Sequence, residues 1–243
     1  MAILATACGR VDFDPSPPRD ATDATGATDA TDATGDAAPR SFAFVQTKSK
    51  NAGAASAHSV AFDAPVVAGD LIVVAFDFDA NTALTPILIG DMRASSYQLL
   101  GPFDNGTNHQ YIAYAVATSS GIDSIAVALM GTSLSYLEVR IHEYAGAWPA
   151  APLDQQIGAN GASLAMDGAR TPPLTTTRPE ELIFGFFTFG GSGAPGTGFT
   201  QRSSLAGDVT EDELAVTPGP YTPTATMLSG SSYTGCAAAF FTR

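Results

Sequence analysis

Tyr136, Glu138, Arg140, His142 and Tyr144 alternate along one stretch of the chain. On a β-strand this two-residue spacing puts all five side chains on one face, with a repeat of about 6 to 7 Å. Aromatic faces beside planar hydrogen-bonding groups are the chemistry that grips a sugar, whose C–H faces stack while its hydroxyls exchange hydrogen bonds. The alternating partners Leu137, Val139, Ile141, Glu143 and Ala145 form the core-facing set, so the polar and aromatic set is expected to point outward or into a groove. His109 and Tyr111 would widen this ligand platform if their strand lies alongside. Trp148, in the loop that follows, would either stack on the ligand or plug the end of the fold. The alternative is a solvated sheet face bearing ordinary cross-strand pairs.

A second group is Asp77, Asp79 and Asn81. Oxygen ligands at i, i+2 and i+4 leaving a strand could wrap a hard cation such as a structural Ca²⁺. An EF-hand is excluded, because the sixth position is Thr82 rather than Gly and the twelfth is Leu88 rather than Glu. Solvated turn carboxylates are the alternative, and no other cofactor is suggested. Glu143 and Asp212 fall on faces that otherwise read as apolar. A carboxylate there must accept hydrogen bonds, pair with an Arg or bind a cation, because an isolated buried charge is too costly.

Catalytic patterns are thin. No G-x-S-x-G elbow exists, and Gly191-Ser192-Gly193 lacks its spacing. His142-Glu143 opens like a zinc-protease motif, but Gly146 stands where the second His belongs. Glycosidase chemistry needs two carboxylates about 5 to 9.5 Å apart across a cleft, and nothing in the spacing pairs Glu138, Glu143 or Asp212 in that way. The chain therefore reads as non-catalytic, with a polysaccharide hydrolase as the least favoured alternative.

The elements that carry these residues are short and β-like. From residue 41 onward period 2 dominates and no helical periodicity is sustained. Strands are expected over 42–48, 56–62, 70–78, 85–89, 97–103, 109–117, 124–129, 136–145, 181–189, 198–202, 211–217, 222–228 and 236–242, separated by Gly, Pro, Asn and Asp clusters. The runs 71–76 and 182–187 are continuously apolar and fit strands buried on both faces. The first and last strands are expected to pair and close the sheet. This pattern predicts an all-β fold, a jelly-roll-like β-sandwich spanning 41–243 as one domain.

Residues 20–36 read DATDATGATDATDATGD and include five Asp and no large apolar side chain. Such a segment cannot offset the entropy of ordering, so 8–40 is expected to be a disordered acidic tether. The chain carries a formal net charge of −13, with 11 Lys+Arg against 24 Asp+Glu. That surface offers no match to a nucleic-acid backbone or anionic headgroups. Two Cys cannot build a disulfide scaffold.

Leu4-Ala5-Thr6-Ala7-Cys8-Gly9 resembles the lipobox of bacterial lipoproteins. The resemblance implies that Cys8 is acylated, that residues 1–7 are the remnant of a signal peptide, and that the protein resides in the cell envelope, lipid-anchored or extracellular. Only seven residues precede Cys8 and none is Lys or Arg. Either the true signal peptide begins upstream of the recorded start, or Cys8 is an ordinary exposed thiol.

Gly69-Asp70-Leu71-Ile72-Val73-Val74-Ala75, His142-Glu143-Tyr144-Ala145-Gly146, Glu181-Leu182-Ile183-Phe184-Gly185, Gly198-Phe199-Thr200-Gln201-Arg202 and Glu211-Asp212-Glu213, in this order, resemble an uncharacterised β-sandwich module of secreted and surface proteins in environmental bacteria. That resemblance implies an extracellular accessory to adhesion or polysaccharide handling and supplies no catalytic residues. The expectation is a cell-surface lipoprotein whose partner is a polysaccharide or surface glycan, with no nucleic-acid partner and with membrane contact only through the lipid anchor. The alternative is a structural envelope component without a specific ligand.

Overall fold

Runs of Val, Ile, Phe and Tyr broken by Gly, Pro and Asn make strand and turn the local choice from residue 41 onward. The computed structural model describes residues 41–79, 87–130, 134–162, 168–229 and 232–243. Cys8, the 8–40 segment and Asn81 lie outside them.

The first half contains β1 (Ala43–Asn51), β2 (Ala57–Ala61), β3 (Leu71–Asp79), β4 (Ile87–Asp91), β5 (Gln98–Asp104), β6 (Asn108–Val116), β7 (Ser124–Leu129) and β8 (Leu137–Ala145). The second contains β9 (Leu153–Ala162), β10 (Ala169–Arg170), β11 (Leu174–Thr176), β12 (Glu181–Phe189), β13 (Ser192–Pro195), β14 (Thr200–Leu205), β15 (Asp208–Ala215), β16 (Gly219–Tyr221), β17 (Thr224–Ser229) and β18 (Ser232–Phe240).

The two halves repeat one topology. The first forms a five-stranded sheet, β1-β8-β3-β6-β5, and a three-stranded sheet, β2-β7-β4. The second forms β9-β18-β12-β15-β14 and β10-β17-β13, with β11-β16 as an added pair. In both, the strands nest antiparallel, first with last and second with next-to-last, which is the wiring of a jelly roll. The registers correspond as well. Leu71 lies opposite Val116 and Tyr144, and Leu182 opposite Leu214 and Phe240. The folded unit is therefore a jelly-roll-like β-sandwich built twice.

Three layers of side chains hold it together. Ile72, Val74, Phe76, Val139 and Ile141 pack under Val60, Ile125 and Val127 of the small sheet, forming the first jelly roll's own core. Ile183, Phe187, Ala215 and Ala225 do the same in the second. Between the two large sheets lies a third core, in which Leu71, Val73, Ala75, Ile112 and Tyr144 meet Leu182, Phe184, Phe186, Ala238 and Phe240. This is why 71–76 and 182–187 are continuously apolar: they are equivalent central strands, each covered on both faces. The terminal strands do not pair with each other, because β1 adds to β8 and β18 lies between β12 and β9, in separate sheets.

Candidate functional site

Strand β8 is covered on both faces. Leu137, Val139 and Ile141 enter the first jelly roll's core. Their alternates therefore turn into the layer between the two large sheets rather than to solvent. Glu138, Arg140, His142 and Tyr144 are 3%, 0%, 0% and 1% exposed. The expected outward ligand platform is corrected on this point: alternation distinguishes two faces, but here the second face is covered by another sheet.

Arg140 organises that layer. Its Nη1 donates to Asp77 Oδ1 at 2.7 Å, and its Nη2 to Glu138 Oε2 at 2.6 Å and Asp208 Oδ2 at 3.0 Å. The guanidinium also lies 4.9 Å from the Phe186 ring centroid. The far carboxylate oxygens have partners too: Asn108 Nδ2 reaches Asp77 Oδ2 at 3.2 Å, Asn51 Nδ2 reaches Glu138 Oε1 at 2.6 Å, and the Phe189 amide reaches Asp208 Oδ1 at 2.9 Å. Three carboxylates around one guanidinium leave excess negative charge in a dry layer. Burial, reinforced by the Asp77 carboxylate, pushes Asp208 up to about 8 despite Arg140.

The oxygens of Asp77, Glu138 and Asp208 come within 4.8 Å of one another, close enough to suggest a metal site. Arg140 occupies the position a cation would take, and its fork satisfies the carboxylates as an ion would. Of the calcium loop expected from Asp77, Asp79 and Asn81, only the first two residues are described. Asp77 is 1% exposed and committed to Arg140, Asp79 ends β3 half-buried, and Asn81 lies outside the described residues.

His142 is an aromatic spacer here. It packs edge-on against Phe184, with ring centroids 5.0 Å apart. Burial, with Arg140 and Arg202 nearby, lowers its pKa to about 3, so the imidazole is neutral. Tyr144 packs edge-on against Phe44 and Phe184, and burial beside Asp212 raises its hydroxyl far above the ordinary value. The two misplaced-looking carboxylates have local partners. Glu143 accepts from Gln46 Nε2 at 2.5 Å and from the Val67 amide at 2.9 Å, and Asp212 pairs with Arg202 Nε at 2.7 Å.

One opening reaches this layer near the start of β8. It has a volume of about 180 Å³, and its walls include Asn108, Tyr136, Thr188, Asp208, Tyr233 and Thr234. Tyr136 is thus the platform residue on this wall, while Tyr144 lines another opening of about 210 Å³ with Phe44, Arg202 and Asp212. Asn108 ties the wall together, donating to the Tyr136 hydroxyl at 2.5 Å and accepting from Thr188 Oγ1 at 3.2 Å. Sequence reading missed Asp208, Asn108, Thr188 and Thr234 as site residues. Their one available signal is inward parity: Asp208 shares a strand face with Asp212, and Thr234 with Cys236.

Trp148 lies in the loop after β8 and is 41% exposed. Arg178 sits over its ring at 5.5 Å and over Phe241 at 4.2 Å, and the Trp148 amide donates to Phe241 O at 2.9 Å. Trp148 therefore belongs to a surface cluster apart from the residues that line the cavity. Compared with protein-family models, curated proteins and solved structures, the chain has no significant match.

Proposed function

We propose that this chain is a non-catalytic binding module displayed at the cell surface, held through Cys8 and the 9–40 spacer, and that its folded unit serves carbohydrate binding or adhesion. The observation that carries this reading is how the carboxylates are used. Asp77, Glu138 and Asp208 are all bound to one buried Arg140, and Asp208 alone of the three is at the wall of the opening, whereas a glycosidase keeps two carboxylates on either side of an open cleft. What opens to solvent beside them is a small cavity walled mainly by neutral hydroxyl and amide groups.

A glycan array probed with the full chain tests the binding reading. Hits among plant, algal or bacterial polysaccharides are expected; a blank array favours a structural envelope component instead. Anchoring is tested separately by feeding cells an alkyne-tagged fatty acid. Label is expected on the wild-type chain and not on Cys8→Ser, and an unlabelled wild-type chain overturns the anchor.

A further inference from the structure

We infer that the cavity between the two jelly rolls is a binding site for a single neutral polyhydroxyl ring, either a free sugar or the terminal residue of a glycan. This rests on the binding function proposed above and assigns it a place. At about 180 Å³ the cavity lies below the roughly 300 to 1,000 Å³ typical of drug-sized ligand pockets, so it suits one ring rather than a chain.

Its chemistry selects against charge. Among the described residues the lining contains no Lys or Arg to hold an anion. Its single carboxylate, Asp208, is already engaged by Arg140 and the Phe189 amide, leaving little for a cation. Hydroxyl and amide groups remain, with the half-buried Tyr136 and Tyr233 supplying ring surface for the C–H faces of a sugar.

An independent sign of a ligand is Thr234. Thr234 is one of the residues around the cavity and is 1% exposed, and its buried Oγ1 has no hydrogen-bond partner. A buried hydroxyl left unmatched destabilises the fold, and Val would fill the same volume. A ligand hydroxyl would supply the missing partner. Beside Thr234 on the same wall stands Thr188, its register partner in β12, whose Oγ1 donates to Asn108 Oδ1 and is held in a fixed orientation.

Saturation-transfer NMR on the full chain with methyl glycosides of common hexoses and N-acetylhexosamines tests this site. At least one glycoside is expected to receive saturation, and Thr234→Val to weaken its binding about five- to tenfold, the loss of one neutral hydrogen bond. The same variant should melt at the wild-type temperature or higher, because it removes an unpartnered hydroxyl. Thr188→Val provides the second variant and should weaken binding in the same range. Array hits retained in full by Thr234→Val and Thr188→Val overturn this site while leaving the binding function intact. A blank array together with silent glycosides overturns both.

Discussion

Arg140 in β8 of the first jelly roll holds Asp208 in β15 of the second at 3.0 Å, with both side chains shielded from solvent. The same Nη2 reaches Leu205 O at 3.2 Å, and Gln110 Nε2 of the first half donates to Phe186 O of the second at 3.1 Å. Removing one partner from a buried, hydrogen-bonded ion cluster leaves uncompensated charge, and such losses run to about 3 to 5 kcal/mol. Arg140→Met is therefore expected to lower unfolding free energy by that order in urea titrations. The loss should be larger at pH 8 than at pH 5, where the orphaned carboxyls can take up protons. Arg140→Lys should recover little, since one ammonium cannot reproduce the fork.

The two halves are expected to unfold together. Each large sheet has one face made for the other, with Leu71, Val73 and Ile112 opposing Leu182, Phe184 and Phe186. Separating the halves would bare that face and strand Arg140 without Asp208. Calorimetry of the full chain should give one cooperative transition for the folded unit, and residues 41–148 expressed alone should lack dispersed amide resonances. Two resolved transitions would show that the halves are independent.

Stability should fall as pH rises from about 6.5 to 8. Burial pushes Glu211 up to about 8 and, assisted by Asp77, pushes Asp208 to about 8. Burial and the neighbouring Glu143 push Asp70 to about 7, and burial with Asp154 nearby does the same for Glu181. These carboxyls hold protons more tightly folded than unfolded, so the stability they confer is complete below about pH 4 and is lost as pH climbs through 7 to 8. His142 works oppositely: its lowered pKa gives stability that is present above 6.5 and lost as pH falls towards 3. Between 6.5 and 8 the carboxyl loss stands alone among these groups. Glu211→Gln, at a side chain with Oε1 unpartnered, should flatten the slope by up to about 1.4 kcal/mol per pH unit; an unchanged slope would place the titration elsewhere.

Two glycines of the small sheets should differ sharply. A Cβ on Gly196, just past β13, would stand 1.9 Å from the backbone oxygen of Thr224, whereas one on Gly90 in β4 meets nothing within 4 Å. Gly196→Ala is expected to destabilise by about 1 to 3 kcal/mol through forced displacement of β17. Gly90→Ala should stay within about 0.5 kcal/mol of wild type. Thermal denaturation of the pair checks the contrast.

Cys236 should resist thiol reagents in the native chain. It is fully buried, and burial raises its thiol well above the ordinary value, so the reactive thiolate is scarce. Labelling with iodoacetamide followed by peptide mapping should find it modified only after denaturation.

The all-β class and most strands were legible in the sequence, because alternation and turn residues act locally. Strand β9 escaped notice: its Asp154, Gln155, Gln156, Asn160 and two glycines look like a loop, and β18 rather than its own composition makes it a strand. The doubling escaped too. Its visible trace is Asp70-Leu71-Ile72 against Glu181-Leu182-Ile183, since elsewhere the halves share register but not residues: Arg140 corresponds to Cys236 and Glu138 to Thr234. That divergence explains why the strand 136–145 suggested a ligand platform. A polar face opposite an apolar one implies solvent in a two-layer sandwich, and only the second jelly roll, far along the chain, turns it into a buried strut. Of the sequence-derived site, Tyr136 reaches the cavity, while Arg140 and Asp77 stand behind its wall.

Amide chemical-shift mapping of isotope-labelled full chain, titrated with whichever glycan binds best, locates the ligand. Perturbations are expected to concentrate at Asn108, Thr188, Asp208 and Thr234, with the amides of His142 and Tyr144 unmoved. Shifts confined to the Trp148 loop, or no shifts at saturating glycan, would contradict that placement.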